Sequence, residues 1–133
     1  MFGLTVRDQM MVTHSLNGDV FGPAQKLHGT TYVVDVTFER HQLDKNDLIV
    51  EADLAVQLLR EVLGEFDMQN LDERLEFEGR NTTTTEFMAG VVFERMANAV
   101  RQGRLGDSGK GLSSLRVTLS GSQVVWATYH AGI

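Results

Sequence analysis

Two long stretches of alternating side chains constrain the fold of this chain more than any other feature. In residues 27–40, His28 and the residues at every second position after it form a mainly apolar side. Residues 2–16 alternate in the same way, and His14 lies near their end on the apolar side. A period of two residues is typical of a strand with one buried face. We predict two antiparallel strands joined by the loop 17–24, which would bring His14 close to His28.

Two amphipathic stretches and a second pair of alternating stretches complete the chain. The predicted elements are helices over 53–66 and 84–102 and strands over 115–120 and 124–130, the strands joined by a two-residue turn at Gly121-Ser122. This order predicts a single α+β domain over 1–133, in which two helices pack on one face of a four-stranded antiparallel sheet. The edges of such a sheet would be open for pairing with other subunits.

The charge balance and the absence of cysteine exclude several classes of function. The chain has 133 residues, a net charge of −6 and no run of basic residues, which argues against nucleic acid as a partner. No apolar run approaches the roughly 18 residues of a membrane helix. The N-terminus lacks the features of a signal peptide, so we expect a cytoplasmic protein with no membrane partner. Without cysteine, the chain has no disulfide and no thiolate nucleophile.

Two histidines on the predicted apolar face are candidates for a metal site. Catalytic zinc takes three protein ligands and one open position, and imidazole is a common nitrogen donor. His14 and His28 could supply two ligands, but Thr30 follows two residues after His28, and a threonine hydroxyl is a poor zinc ligand. The alternative is that the two histidines are hydrogen-bonded to each other, to water or to a ligand. We therefore expect no tightly held zinc and no other cofactor.

The segment that opens the second predicted helix offers a candidate binding residue. The Glu86 carboxylate could accept a pair of hydrogen bonds from a flat heterocycle. The same spacing fits a capping box, in which Thr83 and Glu86 satisfy backbone N–H groups at the start of the helix. Spacing alone favours the cap. Asp67, just after the first helix, is by itself typical of a solvated loop residue.

Five short motifs together resemble the 6-pyruvoyltetrahydropterin synthase and 6-carboxytetrahydropterin synthase family over nearly the whole chain. In chain order they are Val12-Thr13-His14-Ser15-Leu16, Leu27-His28-Gly29-Thr30-Thr31-Tyr32, Asp47-Leu48-Ile49-Val50-Glu51, Phe66-Asp67-Met68-Gln69-Asn70-Leu71 and Thr84-Thr85-Glu86-Phe87-Met88-Ala89. No single motif is specific, but their order and spacing match the family. The resemblance implies the tunnelling fold, in which trimers close a barrel from their sheets and two trimers stack into a hexamer. It also implies a pterin-like pocket between subunits.

The resemblance also implies roles for residues that this chain retains. Family enzymes use three histidines on zinc, a cysteine, an aspartate–histidine pair for proton transfer, and a glutamate that anchors the pterin ring. His14 and His28 match two of the zinc ligands. Glu86 matches the anchor, and Thr84 and Thr85 match its neighbours. The resemblance therefore favours Glu86 as a ring anchor over Glu86 as a helix cap alone.

Three departures from the family pattern affect the chemistry. Thr30 stands where the third zinc histidine belongs, and Ala24 stands where the cysteine belongs. Met68 stands where a histidine should follow Asp67, which is the remaining candidate catalytic residue. The family reaction needs a metal to polarise the substrate and an acid–base set to move protons. We therefore expect neither of the two standard synthase activities.

Two functions remain compatible with the sequence. The first is a protein that binds a pterin or purine-like ligand in an intersubunit pocket without the standard synthase activity. The second is an active lyase or hydrolase on a pterin-like substrate, with His14, His28 or Asp67 as acid–base groups, since a histidine titrates near neutral pH. A weakly held zinc, bound by the two histidines and water, is a further variant of the second function.

Overall fold

The two alternating stretches form the longest strands of the molecule. The computed structural model describes residues 1–78 and 82–133. Strand β1 (Phe2–His14) and strand β2 (His28–Arg40) pair antiparallel, and their register places His14 opposite His28. The predicted antiparallel pair is confirmed. The loop between the strands contains a 3-10 segment, Asp19–Gln25.

The sheet contains one more strand than the sequence predicts. Strand β4 (Ser114–Ser120) pairs antiparallel with β2, and strand β5 (Trp126–Gly132) pairs antiparallel with β4. The additional strand, β3 (Gln69–Asn70), lies parallel to the end of β1. The order across the sheet is β3-β1-β2-β4-β5. The prediction of four antiparallel strands is therefore correct for the long strands and misses β3, because two residues carry no detectable alternation.

Both main helices lie on one face of the sheet. Helix α1 (Ala52–Gly64) packs on β1, and helix α2 (Thr85–Arg101) packs on β4 and β5. Their apolar faces meet the inward residues of the strands in one core, whose fully buried members include Met10, Tyr32, Phe38, Leu59, Phe66, Met88, Met96 and Leu119. Burying each such side chain contributes roughly 1.5–3 kcal/mol before entropy is counted. The α+β architecture with helices on one face is confirmed.

The opposite face of the sheet is polar. Arg7 on β1 forms a bidentate ion pair with Asp35 on β2, and Thr5 and Thr37 share a hydrogen bond of 2.7 Å. This division between an apolar and a polar face follows directly from the alternation in the sequence. Within the described ranges, no helix is long and apolar enough to cross a membrane.

The connection between β4 and β5 differs from the predicted two-residue turn. Ser120 pairs with Trp126, so the loop has the five residues 121–125. The Ser122 hydroxyl accepts hydrogen bonds from the N–H groups of Val124 at 3.3 Å and Val125 at 3.2 Å. These bonds hold a wider loop, and β5 begins two residues later than predicted. A short helix, α3 (Gly106–Gly109), lies in the glycine-rich segment before β4.

Candidate functional site

A pocket of about 370 Å³ lies where the ends of the first strand pair meet the start of α2. It gathers six residues that the sequence singles out: His14, His28, Thr30, Thr84, Thr85 and Glu86. The remaining lining residues carry no charge: Leu16, Phe21, Tyr32, Gly121, Ser122 and Val125. The register of β1 against β2 brings the two histidines together, and the N-terminus of α2 supplies the threonines and the glutamate.

His14 is buried and its imidazole is fully hydrogen-bonded. Its Nδ1 lies 3.0 Å from the carbonyl oxygen and 2.9 Å from the hydroxyl of Thr83. Because a carbonyl only accepts, Nδ1 carries the proton, and Nε2 accepts from the Thr30 hydroxyl at 3.3 Å. Burial, together with the nearby His28, lowers the pKa of His14 below its usual 6.5, against smaller opposing effects of Thr83 and Asp72. His14 is therefore neutral at pH 7.

His28 packs against His14 but leaves one nitrogen available. The ring centroids are 4.7 Å apart, with 50° between the ring planes. His28 Nδ1 lies 2.8 Å from the carbonyl oxygen of Lys26, so this nitrogen donates, and in the neutral ring Nε2 carries the lone pair. Among the described residues, Nε2 of His28 has no hydrogen-bond partner. The pocket wall formed by β2 therefore offers an imidazole acceptor.

The donors in this pocket do not fit the three-histidine zinc site that the family pattern implies. The Thr30 hydroxyl is committed to His14 Nε2, which occupies the lone pair that a metal would need. Both Nδ1 atoms donate to carbonyl oxygens. Across residues 1–78 and 82–133, no group of three or more His, Cys, Asp or Glu side chains is placed to hold a metal ion. Catalytic zinc takes three protein ligands, and two imidazoles with a hydroxyl provide only two good ones.

Glu86 lies at the start of α2 and is not the helix cap. The N-cap is Thr84, whose hydroxyl accepts the N–H of Phe87 at 3.1 Å. The predicted capping box is therefore wrong by one residue, because Thr83 turns away to bond His14. The Glu86 carboxylate is exposed and accepts no hydrogen bond from the described part of the chain. It lines the pocket with its acceptor oxygens available, and the helix N-terminus favours its negative charge.

Tyr32 is a buried member of the pocket that the sequence analysis does not single out. Its phenol oxygen accepts a hydrogen bond from the Thr85 hydroxyl at 3.4 Å. Burial raises the pKa of Tyr32, and the charge of Glu86 adds to the effect, so the phenol stays protonated. The signal was present in the sequence, because Tyr32 follows His28 and Thr30 at the same period of two.

The other predicted positions lie outside this pocket. The Asp67 carboxylate accepts the backbone N–H of Met11 at 2.9 Å, at the outer edge of β1. Met68 is exposed and has a positive φ of 62°. The carbonyl of Ala24 accepts the N–H of Leu16 at 3.0 Å, within the loop that follows β1. Within one chain, the structure does not bring Asp67 into the pocket of the two histidines.

Comparison with known proteins places this geometry in a family. The family model described as 6-pyruvoyl tetrahydropterin synthase matches residues 3–132. No curated protein matches the chain. Among solved structures, the chain is similar to 6-pyruvoyl tetrahydropterin synthase from Caenorhabditis elegans, with a TM-score of 0.80, 20% identity and coverage of 98% of this chain and 96% of that chain. The Plasmodium vivax 6-pyruvoyl tetrahydropterin synthase gives a TM-score of 0.77 at 14% identity, covering 99% and 98%.

A third similar structure extends the fold beyond these synthases. Escherichia coli dihydroneopterin aldolase in complex with neopterin gives a TM-score of 0.54 at 15% identity, covering 99% of this chain and 100% of that chain. Identities this low carry the fold and not the activity. The match of the family model over almost the whole length, with the structural matches over whole chains, is decisive: the chain belongs to the 6-pyruvoyl tetrahydropterin synthase family.

Proposed function

We propose that the pocket binds a pterin or purine-like ring through Glu86. The observation that carries this proposal is a carboxylate at the pocket wall that the described part of the chain leaves without a hydrogen-bond donor. A pterin or guanine-like ring presents two adjacent N–H donors, which match the two oxygens of a carboxylate. The N-cap bond of Thr84 fixes the start of α2 and so fixes the position of Glu86. Thr84 and Thr85 line the same wall and offer hydroxyl groups to the ring.

The standard synthase activity of the family is not part of this proposal. The chain has no cysteine, Met68 follows Asp67, and the histidine pair does not fit a zinc site. A second candidate function is a lyase or hydrolase on a pterin-like substrate. It is favoured by the contact between His14 and His28 at the pocket, since a neutral imidazole is suited to accept a proton. Asp67 would join this chemistry only if another subunit brought it to the pocket.

The proposal includes assembly into a barrel and a hexamer of two stacked trimers. Strand β5 has no partner on its outer side among the described residues, and β3 covers only the end of β1 near Val12 and Thr13. Open edges of this kind pair readily with another copy, and pairing β1 of one subunit with β5 of the next would close a ring. The cytoplasmic location expected from the N-terminal sequence stays a prediction.

Ligand binding is tested with pterin and with Glu86→Gln. Pterin fluorescence, titrated with the purified protein, should saturate. The variant keeps the size of the side chain and loses the charge, so affinity should fall at least about tenfold, the range of charge-assisted hydrogen bonds. Glu94→Gln changes an exposed glutamate on the same helix and is the matched control. Equal binding by the two variants would contradict the role of Glu86.

The absence of synthase activity is tested separately. Dihydroneopterin triphosphate is incubated with the protein and added zinc, and products are separated by chromatography. We expect no 6-pyruvoyl or 6-carboxy product, and clear formation of either would overturn this part of the proposal. Metal analysis of the purified protein tests the hypothesis that the two histidines and water hold zinc weakly. Turnover of another pterin in a substrate screen, lost in His28→Ala, would favour the second candidate function.

A further inference from the structure

We propose that the ring of subunits closes through the first half of β1 alone. Residues 3–7 of β1 pair antiparallel with β5 of the next copy, and Asp8 ends this pairing. The inference rests on the assembly in the proposed function. It goes beyond that assembly by naming the direction of pairing, the length of the seam between two copies and the residue that limits it.

The second half of the outer β1 edge is satisfied by carboxylates of its own chain. Met11 directs its N–H to the Asp67 carboxylate and its carbonyl to the N–H of Met68. Every second residue before Met11 points its backbone groups to the same side, because these groups alternate in direction along a strand. The next outward N–H, that of Gln9, donates to the Asp8 carboxylate at 2.8 Å. Two consecutive outward donors are therefore used within the chain and offer no N–H to a second copy.

The first half of the same edge is open. The outward backbone groups of Gly3, Thr5 and Arg7 have no hydrogen-bond partner among the described residues. This half also exposes apolar surface on the helix face, where Phe2 is 48% exposed, whereas Met10 in the second half is fully buried. Open hydrogen-bonding groups and exposed apolar surface therefore coincide in residues 2–7, as expected of an edge that another strand covers.

The outer edge of β5 combines the same two properties. Ile133 donates its N–H to Ser113, the residue before β4, so the even-numbered residues of β5 point their backbone groups outward. Within the described ranges, these outward groups have no partner. The residues concerned are Trp126, Thr128, His130 and Gly132. Tyr129 lies on the helix face against Phe93 of α2 and is 43% exposed, so this edge also carries uncovered aromatic surface.

The faces of the two edges determine the direction of pairing. On both edges the outward residues have polar-face side chains, since Thr5 bonds Thr37 across that face and Thr128 bonds Thr118. In an antiparallel pair, opposed residues bond each other and share a face, so the polar face of one copy continues that of the next. In a parallel pair, an outward residue lies opposite one whose backbone points away, which on β5 is a helix-face residue. Parallel pairing would therefore place the helices of neighbouring copies on opposite faces.

Disulfide cross-linking tests the seam, because the chain has no cysteine of its own. Gly3→Cys, Thr5→Cys and Gln9→Cys are each combined with a cysteine substitution at one of the four outward positions of β5. Within one chain, β2 and β4 lie between these strands and separate them by about 14 Å, at about 4.8 Å per strand. A disulfide spans at most about 7 Å between Cα atoms, so every cross-link joins two copies.

Antiparallel pairing over the first half of β1 gives a defined pattern. Thr5→Cys should cross-link at one β5 position, Gly3→Cys at the position two residues further along β5, and Gln9→Cys at none. A Gly3→Cys partner two residues earlier would overturn the inference, as would Gln9→Cys cross-linking as strongly as Thr5→Cys. No cross-link in a protein that sediments as a trimer or hexamer would overturn the inference and leave the assembly standing. No cross-link in a monomeric protein would overturn both, and pterin titration would still test ring binding by Glu86.

Two variants test Asp8 as the residue that limits pairing. A shift of two residues keeps every side chain on its face, so the faces alone do not prevent it. Asp8→Ala frees the Gln9 N–H for a second copy, and Thr5→Cys should then also cross-link two residues later in β5. Asp8→Asn keeps an acceptor oxygen for Gln9 and should retain the single cross-link. An unchanged pattern in Asp8→Ala would overturn the role of Asp8, and circular dichroism of both variants checks that a changed pattern is not a loss of fold.

Discussion

Replacing Asp67 with alanine should destabilise the fold without weakening ligand binding. The backbone of Met11, at the outer edge of β1, is satisfied entirely by the segment after α1. Its N–H donates to the Asp67 carboxylate at 2.9 Å, and its carbonyl accepts the N–H of Met68 at 2.7 Å. Strand β3 continues this pairing at Val12 and Thr13. The carboxylate therefore takes the place of a strand partner and protects an otherwise open edge.

The magnitude follows from the type and exposure of this hydrogen bond. A bond to a charged acceptor contributes about 1.5–3 kcal/mol, but water can replace it at a half-exposed edge, so we expect a loss of about 1–2 kcal/mol for Asp67→Ala. For a chain of this length, with an unfolding entropy of roughly 2.1 cal/mol/K per residue, that loss lowers Tm by about 4–7 °C. Asp67→Asn keeps an acceptor oxygen without the charge, so its loss should be smaller.

Urea unfolding and calorimetry at one fixed protein concentration measure the change, and pterin fluorescence measures binding in the same samples. The reasoning is refuted if Asp67→Ala keeps full stability. It is refuted in a more informative way if the variant stays stable and loses turnover of a pterin-like substrate. Asp67 would then act in the chemistry, and the lyase or hydrolase would become the better function for this chain.

Three further outcomes follow from individual contacts. Gly111→Ala should cost about 1–3 kcal/mol, because its Cβ would displace the Arg40 guanidinium, which donates to the carbonyl oxygens of Gln42, Ile49 and Ser108. Gly64→Ala, with open space around its Cβ, should be neutral or stabilising in the same urea titration. Thr84→Ala should cost about 1 kcal/mol and lower helicity by circular dichroism, because it removes the N-cap. The free energy of unfolding should fall as pH decreases below 6.5, because burial lowers the pKa of His14 in the folded state and protonation then favours the unfolded chain. In urea titrations from pH 8 to 5, His14→Gln should make the free energy of unfolding less dependent on pH.

The sequence predicts the long strands well because apolar and polar residues alternate along their whole length, so every residue indicates which face of the strand is buried. Alternation fixed which side of β1 and β2 is buried, and antiparallel pairing then brought His14 to His28. The alternation could not predict β3, because this strand has only two residues, which are too few to show a period of two. It also missed the five-residue loop before β5, which is held by bonds from the Ser122 hydroxyl rather than by a standard turn.

The helix cap shows why spacing alone could not settle the site. Four consecutive threonines precede Glu86, and each could cap a helix. The structure selects Thr84 because Thr83 is engaged by His14, a residue 69 positions earlier in the chain. A contact over that separation has no signature in the local sequence. The close approach of Gly121 to Thr30 and Tyr32 is likewise visible only in three dimensions, where an added Cβ would lie 3.3 Å from each side chain.

Thr30 is more than a missing ligand, and this changes how the departures from the family pattern should be interpreted. A buried histidine with an unsatisfied nitrogen is costly, and a third histidine with zinc would be one way to satisfy it. Thr30 satisfies it differently, because its hydroxyl donates to Nε2 while Thr83 accepts from Nδ1. Both nitrogens of His14 therefore have a hydrogen-bond partner within the chain. Of the two histidines that line the pocket, His28 is the one whose Nε2 has no hydrogen-bond partner among the described residues. The replacement of the third histidine by Thr30 therefore belongs to a hydrogen-bond network that satisfies His14 from both of its nitrogens.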